Sequence, residues 1–370
     1  MSVTAIVCEL NPLHNGHMHV MKAAKGDAVV LVMSGNFTQR ALSAAFHKYA
    51  RAEAAVRSGA DLVVELPFPY CSSGGEFFAR AGVSIAERIG ADRLMFGSSC
   101  ADRELLSDIA RTLSSEEYRR LFSETEKRDP ALGAAVIRSK VLGTLCPGYS
   151  REKCDNPNDI LAAEYIRSAK IECVPVKRTD DALSATELRG MTTEEGAPFV
   201  PPASLEMMMN TPRADVSKLR EILWMFFRMC GTDFENIAEC RGGLGNRLRS
   251  AARQSGSAEE FFSLAATKKY TNARIVRAAI FALLGVTPED ISSEPAYTNL
   301  LAANGRGREI LAAARRSGKI NVVTKPSSGL TSASERRQRE LSSRADELYT
   351  LLFEKALPSS YFITRTPYVI

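Results

Sequence analysis

Thr4-Ala5-Ile6-Val7-Cys8 is followed, after Glu9 and Leu10, by Asn11-Pro12-Leu13-His14-Asn15-Gly16-His17 and then by a helix-like stretch, Met18 to Ala24. The first run is short, continuously apolar and partly β-branched, which suits a strand buried on both faces. The polar heptapeptide is then a strand-to-helix turn. At such a turn the first helical N–H groups are unpaired and the helix dipole is positive, so the junction attracts anions. Gly16 lets a phosphate approach the backbone closely.

The same alternation continues outward from this stretch. Strand-like runs recur at Ala28–Met33, Asp61–Leu66, Arg93–Phe96 and Ile171–Val176. Helical periodicity fills Phe46–Ser58, Glu76–Ile89 and Arg103–Leu113, and glycine follows the first two at Gly59 and Gly90, where a helix commonly stops. The pattern predicts an α/β, Rossmann-like doubly wound parallel sheet with ligands at the carboxyl ends of its strands. The expected layout is a nucleotide-binding domain over residues 1–190, a Gly/Pro/Thr/Met-rich linker over 191–211 and a mainly α-helical C-terminal domain over 212–370. Within the last, Asn272–Leu284 is the clearest amphipathic helix, and Lys325–Ser334 reads as a loop.

Composition narrows the class. A chain of 370 residues with 45% hydrophobic and 25% charged residues is ordinary for a globular protein of two domains. No apolar stretch approaches the length of a membrane span, and no positive segment precedes the first apolar run, so neither a membrane nor a secretory signal is expected. The eight cysteines are scattered, without a Cys-x-x-Cys pair or a neighbouring His at ligand spacing. That argues against a zinc site or a disulfide framework and for a reducing cytoplasm. The net charge of +5 hides an asymmetry: Arg241–Arg344 holds eighteen Lys/Arg against eight Asp/Glu. A basic part beside a near-neutral to acidic one suggests a polyanionic partner, although solvated basic helices would give the same count.

The strand-end loops carry the chemistry. His14 and His17, two of only four histidines, are spaced as in enzymes that bind a nucleoside triphosphate and act at its α-phosphate. Both are read as catalytic donors to oxygens on which charge builds during displacement. Ser184-Ala185-Thr186-Glu187 satisfies a capping box. Set just after Lys177-Arg178 and followed by Arg189, it also reads as a second phosphate-binding helix start using Ser184, Thr186 and Arg189. Asn156-Pro157-Asn158-Asp159 fits an N-cap, with no further task evident for Asn158. Lys48 and Arg51, one helical turn apart, read as a solvated face.

In this order the motifs resemble the tRNA(Met) cytidine acetate ligase family of the nucleotidylyltransferase-like superfamily. The likeness rests on Glu9–His17, Met33–Arg40, Gly59–Pro67, Phe96–Ser98, Pro157–Ala162, Lys177-Arg178, Leu183–Arg189 and Tyr270–Arg277. It implies that ATP and acetate form acetyl-adenylate, and that the wobble cytidine of elongator tRNA(Met) then takes the acetyl group. It also implies ATP contacts from Val7, Cys8, Glu9, Leu10, Asn11, Pro12, Leu13, His14, Asn15, Gly16, His17, Met18, His19, Val20, Gly97, Asn158 and Arg178. The basic part would hold the tRNA, with Arg247, Arg249, Lys268, Lys269, Arg274 and Arg277 as the expected contacts, and Mg²⁺ would screen the triphosphate. The chain departs from the family pattern at His47, where an acidic residue is expected, at Leu10 and Leu13, where aromatics are frequent, and at Ala41, usually glycine. The alternatives are a nucleotidylyltransferase acting on a small phosphorylated metabolite, which needs no extended basic surface, and a non-catalytic RNA-binding module.

Overall fold

The computed structural model describes residues 2–179, 183–231, 233–325 and 329–370. Its strands are β1 (Val3–Cys8), β2 (Ala28–Ser34), β3 (Leu62–Leu66), β4 (Arg93–Ser98), β5 (Glu172–Lys177), β6 (Tyr297–Ala303), β7 (Asn321–Val323) and β8 (Tyr368–Val369). They form one sheet in the order β5-β4-β1-β2-β3-β6-β7, with β8 paired to β6. The five strands of the first half are parallel, each within a residue or two of its expected bounds. Every residue of β1, β2 and β3 is buried, as continuous apolar runs covered on both faces should be.

Helices flank the sheet: α1 (Asn15–Ala23), α2 (Lys48–Arg57), α3 (Gly75–Ile89), α4 (Arg103–Ser114), α5 (Glu116–Arg128), α6 (Ala134–Leu145), α7 (Arg151–Cys154), α8 (Pro157–Ser168) and α9 (Ala185–Gly190). The rest of the chain adds α10 (Thr193–Gly196), α11 (Pro202–Asn210), α12 (Val216–Met229), α13 (Leu244–Gln254), α14 (Ala258–Ala265), α15 (Asn272–Leu284), α16 (Pro288–Ser292), α17 (Gly305–Ser317) and α18 (Ala333–Thr350). None of the described helices is long and apolar enough to cross a membrane, and all eight cysteines are free. From β1 the chain steps outward through β2 and β3, then crosses to β4 on the other side of β1. The crevice between β1 and β4 is therefore the switch point where doubly wound sheets bind ligands.

The second half of the chain does more than add helices. β6 pairs antiparallel with β3 and carries β7 and β8 beyond it. Asp61 fastens this junction, accepting from Val29 N at 2.8 Å and from Asn304 Nδ2 at 2.9 Å. At the same junction a Cβ on Gly307 would lie 1.9 Å from the Asp61 carbonyl oxygen, so α17 can approach only through glycine. The stretch expected as a linker folds into α10 and α11 and packs on the His loop: Ser204 Oγ donates to Leu13 O at 2.8 Å, and Asn15 Nδ2 to Pro198 O at 3.1 Å. Of the expected loop Lys325–Ser334, residues 326–328 lie outside the described residues, and Ser332 is the N-cap of α18.

The solvated face expected for Lys48 and Arg51 is corrected by the structure: both are buried. Lys48 Nζ lies 2.9 Å from Glu65 Oε1 and 2.7 Å from Asp346 Oδ2, which ties α2 and β3 to α18. Asn36 and Asn299 satisfy the other oxygens of those carboxylates at 2.8 and 2.7 Å. Arg51, 0% exposed, donates to the carbonyls of Phe46, Glu9, Ser34 and Gly35, where β1 and β2 run out. Helical spacing placed the two cations on one face, but a second layer of chain covers that face.

Candidate functional site

The loop that leaves β1 turns at Leu10, whose φ is 48°, and delivers His14 as the N-cap of α1. His14 Nδ1 accepts from Gly16 N at 3.0 Å, and His17 Nδ1 accepts from His14 N at 3.3 Å, a reciprocal capping box built from two imidazoles. A neutral ring that accepts through Nδ1 carries its proton on Nε2. Both rings therefore offer an Nε2–H, with ring centroids 3.9 Å apart. Burial, and then the nearby Arg178 guanidinium, pushes His14 down to about 4. Burial likewise holds His17 well below its ordinary range, assisted by His14 and Arg178. At neutral pH the pair is uncharged and donates without carrying a proton to give away.

Two adjoining recesses meet at these histidines. The first, a cavity of about 160 Å³, is mostly apolar and lies at the β1/β4 switch point, walled by Ile6, Val20, Met21, Leu31 and Phe96. The second, of about 300 Å³, is more polar and reaches Thr38, Gln39, Arg40, Ser184, Thr186 and Arg189. Val7, Cys8, His14, His17, Asn158, Leu161, Tyr165 and Arg178 line both. Helix α8 is set against the groove by its own cap: Asn156 Nδ2 donates to Ser99 Oγ at 2.6 Å, and Asp159 Oδ1 accepts from Ser98 Oγ at 2.6 Å and Ser99 N at 2.7 Å. With Asn156 and Asp159 so occupied, Asn158 faces the groove.

Among the remaining expected nucleotide contacts, Leu10, Gly16, His19 and Gly97 line the first recess, and Glu9 and Asn11 the second. The structure does not bring Pro12, Leu13, Asn15 or Met18 to either. Leu13 is fully buried, and Asn15 is spent on Pro198. Ser184 forms the capping box with Glu187, accepting from Glu187 N at 3.3 Å. Arg189 Nη1 donates to Asn11 O at 2.8 Å, so α9 and the His loop are linked directly. Sequence reasoning left out Leu161, Tyr165 and Phe78. For Leu161 and Tyr165 a signal is present, because Asn158, Leu161 and Tyr165 recur at helical spacing on one face of α8.

The six basic residues expected to hold RNA divide into two groups. Arg277 is buried and donates to Ser72 O at 2.8 Å and Gln39 O at 3.3 Å, and Arg247 donates to the carbonyls of Ala265 and Leu264. Lys268, Lys269, Arg249 and Arg274 sit at or near the surface, the last three over the rings of Tyr270, Phe234 and Tyr270 respectively. His47 lies outside the groove. It is the N-cap of α2, accepting from Ala50 N at 3.1 Å, and the rings of Tyr361 and Phe362 cover it. An acidic side chain at this position would accept the same bond, so the departure at His47 preserves the cap.

The family described as HIGH Nucleotidyl Transferase matches the chain over residues 1–361. A tRNA(Met) cytidine acetate ligase of Thermotoga maritima is 33% identical over 85% of each chain. One of Alkaliphilus metalliredigens is 32% identical over 95% of this chain and 94% of its own. A crystal structure of Thermotoga maritima TmcAL bound with alpha-thio ATP superposes with a TM-score of 0.91, at 30% identity and over 100% of both chains.

Proposed function

The chain belongs to the tRNA(Met) cytidine acetate ligase family of HIGH nucleotidyl transferases, and from that premise we propose how its groove joins acetate to a tRNA cytidine at the expense of ATP. The observation that carries the reading is the pair of neutral imidazoles, both Nε2–H groups free, at the boundary of an apolar and a polar recess. Adenine occupies the apolar recess at the switch point. The triphosphate crosses the start of α1 and extends toward Ser184, Thr186 and Arg189.

An acetate oxygen attacks the α-phosphorus as the bond to pyrophosphate breaks. His14 and His17 donate to the oxygens on which charge accumulates, and Arg178 supplies the nearest positive charge. Donors fixed in advance by their own capping bonds need no reorganisation at the moment of reaction. The cytidine amine then attacks the acetyl carbonyl, its proton is lost, and AMP leaves. The exposed Lys268, with the half-buried Lys269, Arg249 and Arg274, would meet the RNA backbone.

No group of three or more His, Cys, Asp or Glu residues fit to hold a metal occurs among the described residues. A Mg²⁺ ion accompanying the nucleotide would be held chiefly by phosphate oxygens and water. When bound it would supply charge neutralisation of the triphosphate.

The decisive experiment incubates the protein with ATP, isotopically labelled acetate and elongator tRNA(Met), followed by mass spectrometry of the nucleosides. Label on cytidine, with AMP and pyrophosphate released, is expected. If the tRNA stays unlabelled while the Thermotoga maritima relative labels it, the proposal fails.

A further inference from the structure

Tyr165 is the least explained polar residue of the groove. Its side chain lines both recesses and is 4% exposed, yet its hydroxyl has no hydrogen-bond partner among the described residues. A groove hydroxyl with no protein partner is free to donate to a ligand that enters the groove. The ring is held from behind by Phe96, with centroids 5.4 Å apart, so the hydroxyl has a fixed direction. Burial, with Cys8 and Glu9 close by, raises its pKa well above the phenol range, which keeps it a neutral donor at any working pH.

Its surroundings fit a short carboxylic acid. Leu161 lies one helical turn before Tyr165 on the same face of α8, and Phe78 joins it in the second recess, which gives an apolar corner next to the donor. Cys8 lines the same wall, and burial pushes its thiol up, so it adds no charge. In the second recess Ser184, Thr186 and Arg189, at the start of α9 and along it, are assigned above to the distal phosphates, Arg178 to the α-phosphate, and the Thr38 hydroxyl is spent on Leu42 O at 3.1 Å. Tyr165 is left on a separate wall, beside the histidines that flank the α-phosphate.

We propose that the Tyr165 hydroxyl donates to the carboxylate of the acetate substrate and holds it beside the α-phosphate, with the methyl group against Leu161 and Phe78. This assignment rests on the ligase reading above and names the carboxylate subsite within it. The oxygen that accepts from Tyr165 stays with the acetyl group, and its partner forms the new bond to phosphorus as pyrophosphate leaves.

The test is acetate-dependent exchange between ATP and radiolabelled pyrophosphate, without tRNA, in the wild type and Tyr165→Phe. The variant keeps the ring, so its melting temperature should match the wild type and report an intact fold. A hydrogen bond from a neutral donor to a charged acceptor predicts a rise of about tenfold to a hundredfold in the KM for acetate. The KM for ATP should stay within about twofold, since no nucleotide contact is removed. An unchanged KM for acetate overturns the assignment, as does a rise confined to the KM for ATP, which would place the hydroxyl on the nucleotide. If the wild type shows no acetate-dependent exchange, the ligase reading itself falls and takes the subsite with it.

Discussion

Replacing His47 with Asn should flatten the acid sensitivity of this protein. His47 is 6% exposed, and burial, then Arg365, Arg51 and Lys48, push it down to about 3. In the unfolded chain the same imidazole takes up a proton near its ordinary value of about 6.5. Between those values the unfolded state binds the extra proton, so stability falls as pH drops through that window and is fully present above it. From about pH 7.5 to about pH 5 the loss comes to about 2 kcal/mol, since each pH unit below the unfolded value costs about 1.4 kcal/mol. Asparagine still accepts the Ala50 N–H as an N-cap but does not titrate. Any cavity it leaves beside Tyr361 and Phe362 costs the same at both pH values and cancels in the comparison. His14 adds an acid-side loss of the same sign, and Asp346, whose carboxyl burial pushes up, gives one of opposite sign, but both are common to the two proteins. The assay is urea unfolding of wild type and His47→Asn at the two pH values. The variant's loss of stability between them should be about 2 kcal/mol smaller. Equal losses would show that His47 titrates normally and that its burial is not felt as argued.

Three further outcomes follow from the same contacts. His17→Ala should lower pyrophosphate release by roughly a hundredfold to a thousandfold while the melting curve stays close to wild type, the cost expected for one preorganised donor. Lys48→Met would strand Glu65 and Asp346 without their cation, and denaturant midpoints should register a loss of about 3–5 kcal/mol; a near-neutral result would mean that the pair is solvated. Arg178→Met removes the positive charge beside His14, so the imidazole should titrate above its present value of about 4 when followed by NMR.

Much of the site was legible because its signals are local. The strand ends, the His14 and His17 turn, the capping box at Ser184 and the N-cap at Asn156 depend on residues within one turn of each other, and the structure places them within a residue or two of expectation. Leu161 and Tyr165 were equally local but went unread, because an apolar stripe on a helix normally signals core. Only their position across two recesses distinguishes them.

The sequence by itself determined that this chain makes a parallel α/β sheet with an anion-seeking turn at the end of its first strand. Residue period, caps and β-branching act over a few residues and need no distant partner. Tertiary structure alone decided which cations face solvent, what completes the sheet and what covers the His loop. Lys48 and Arg51 are buried by α18 and by the ends of β1 and β2, β6 joins β3 from over two hundred residues away, and the expected linker lies against Leu13 and Asn15. Burial and long-range pairing are properties of which surfaces meet, and no helical or strand period in one segment records what will later be packed against it.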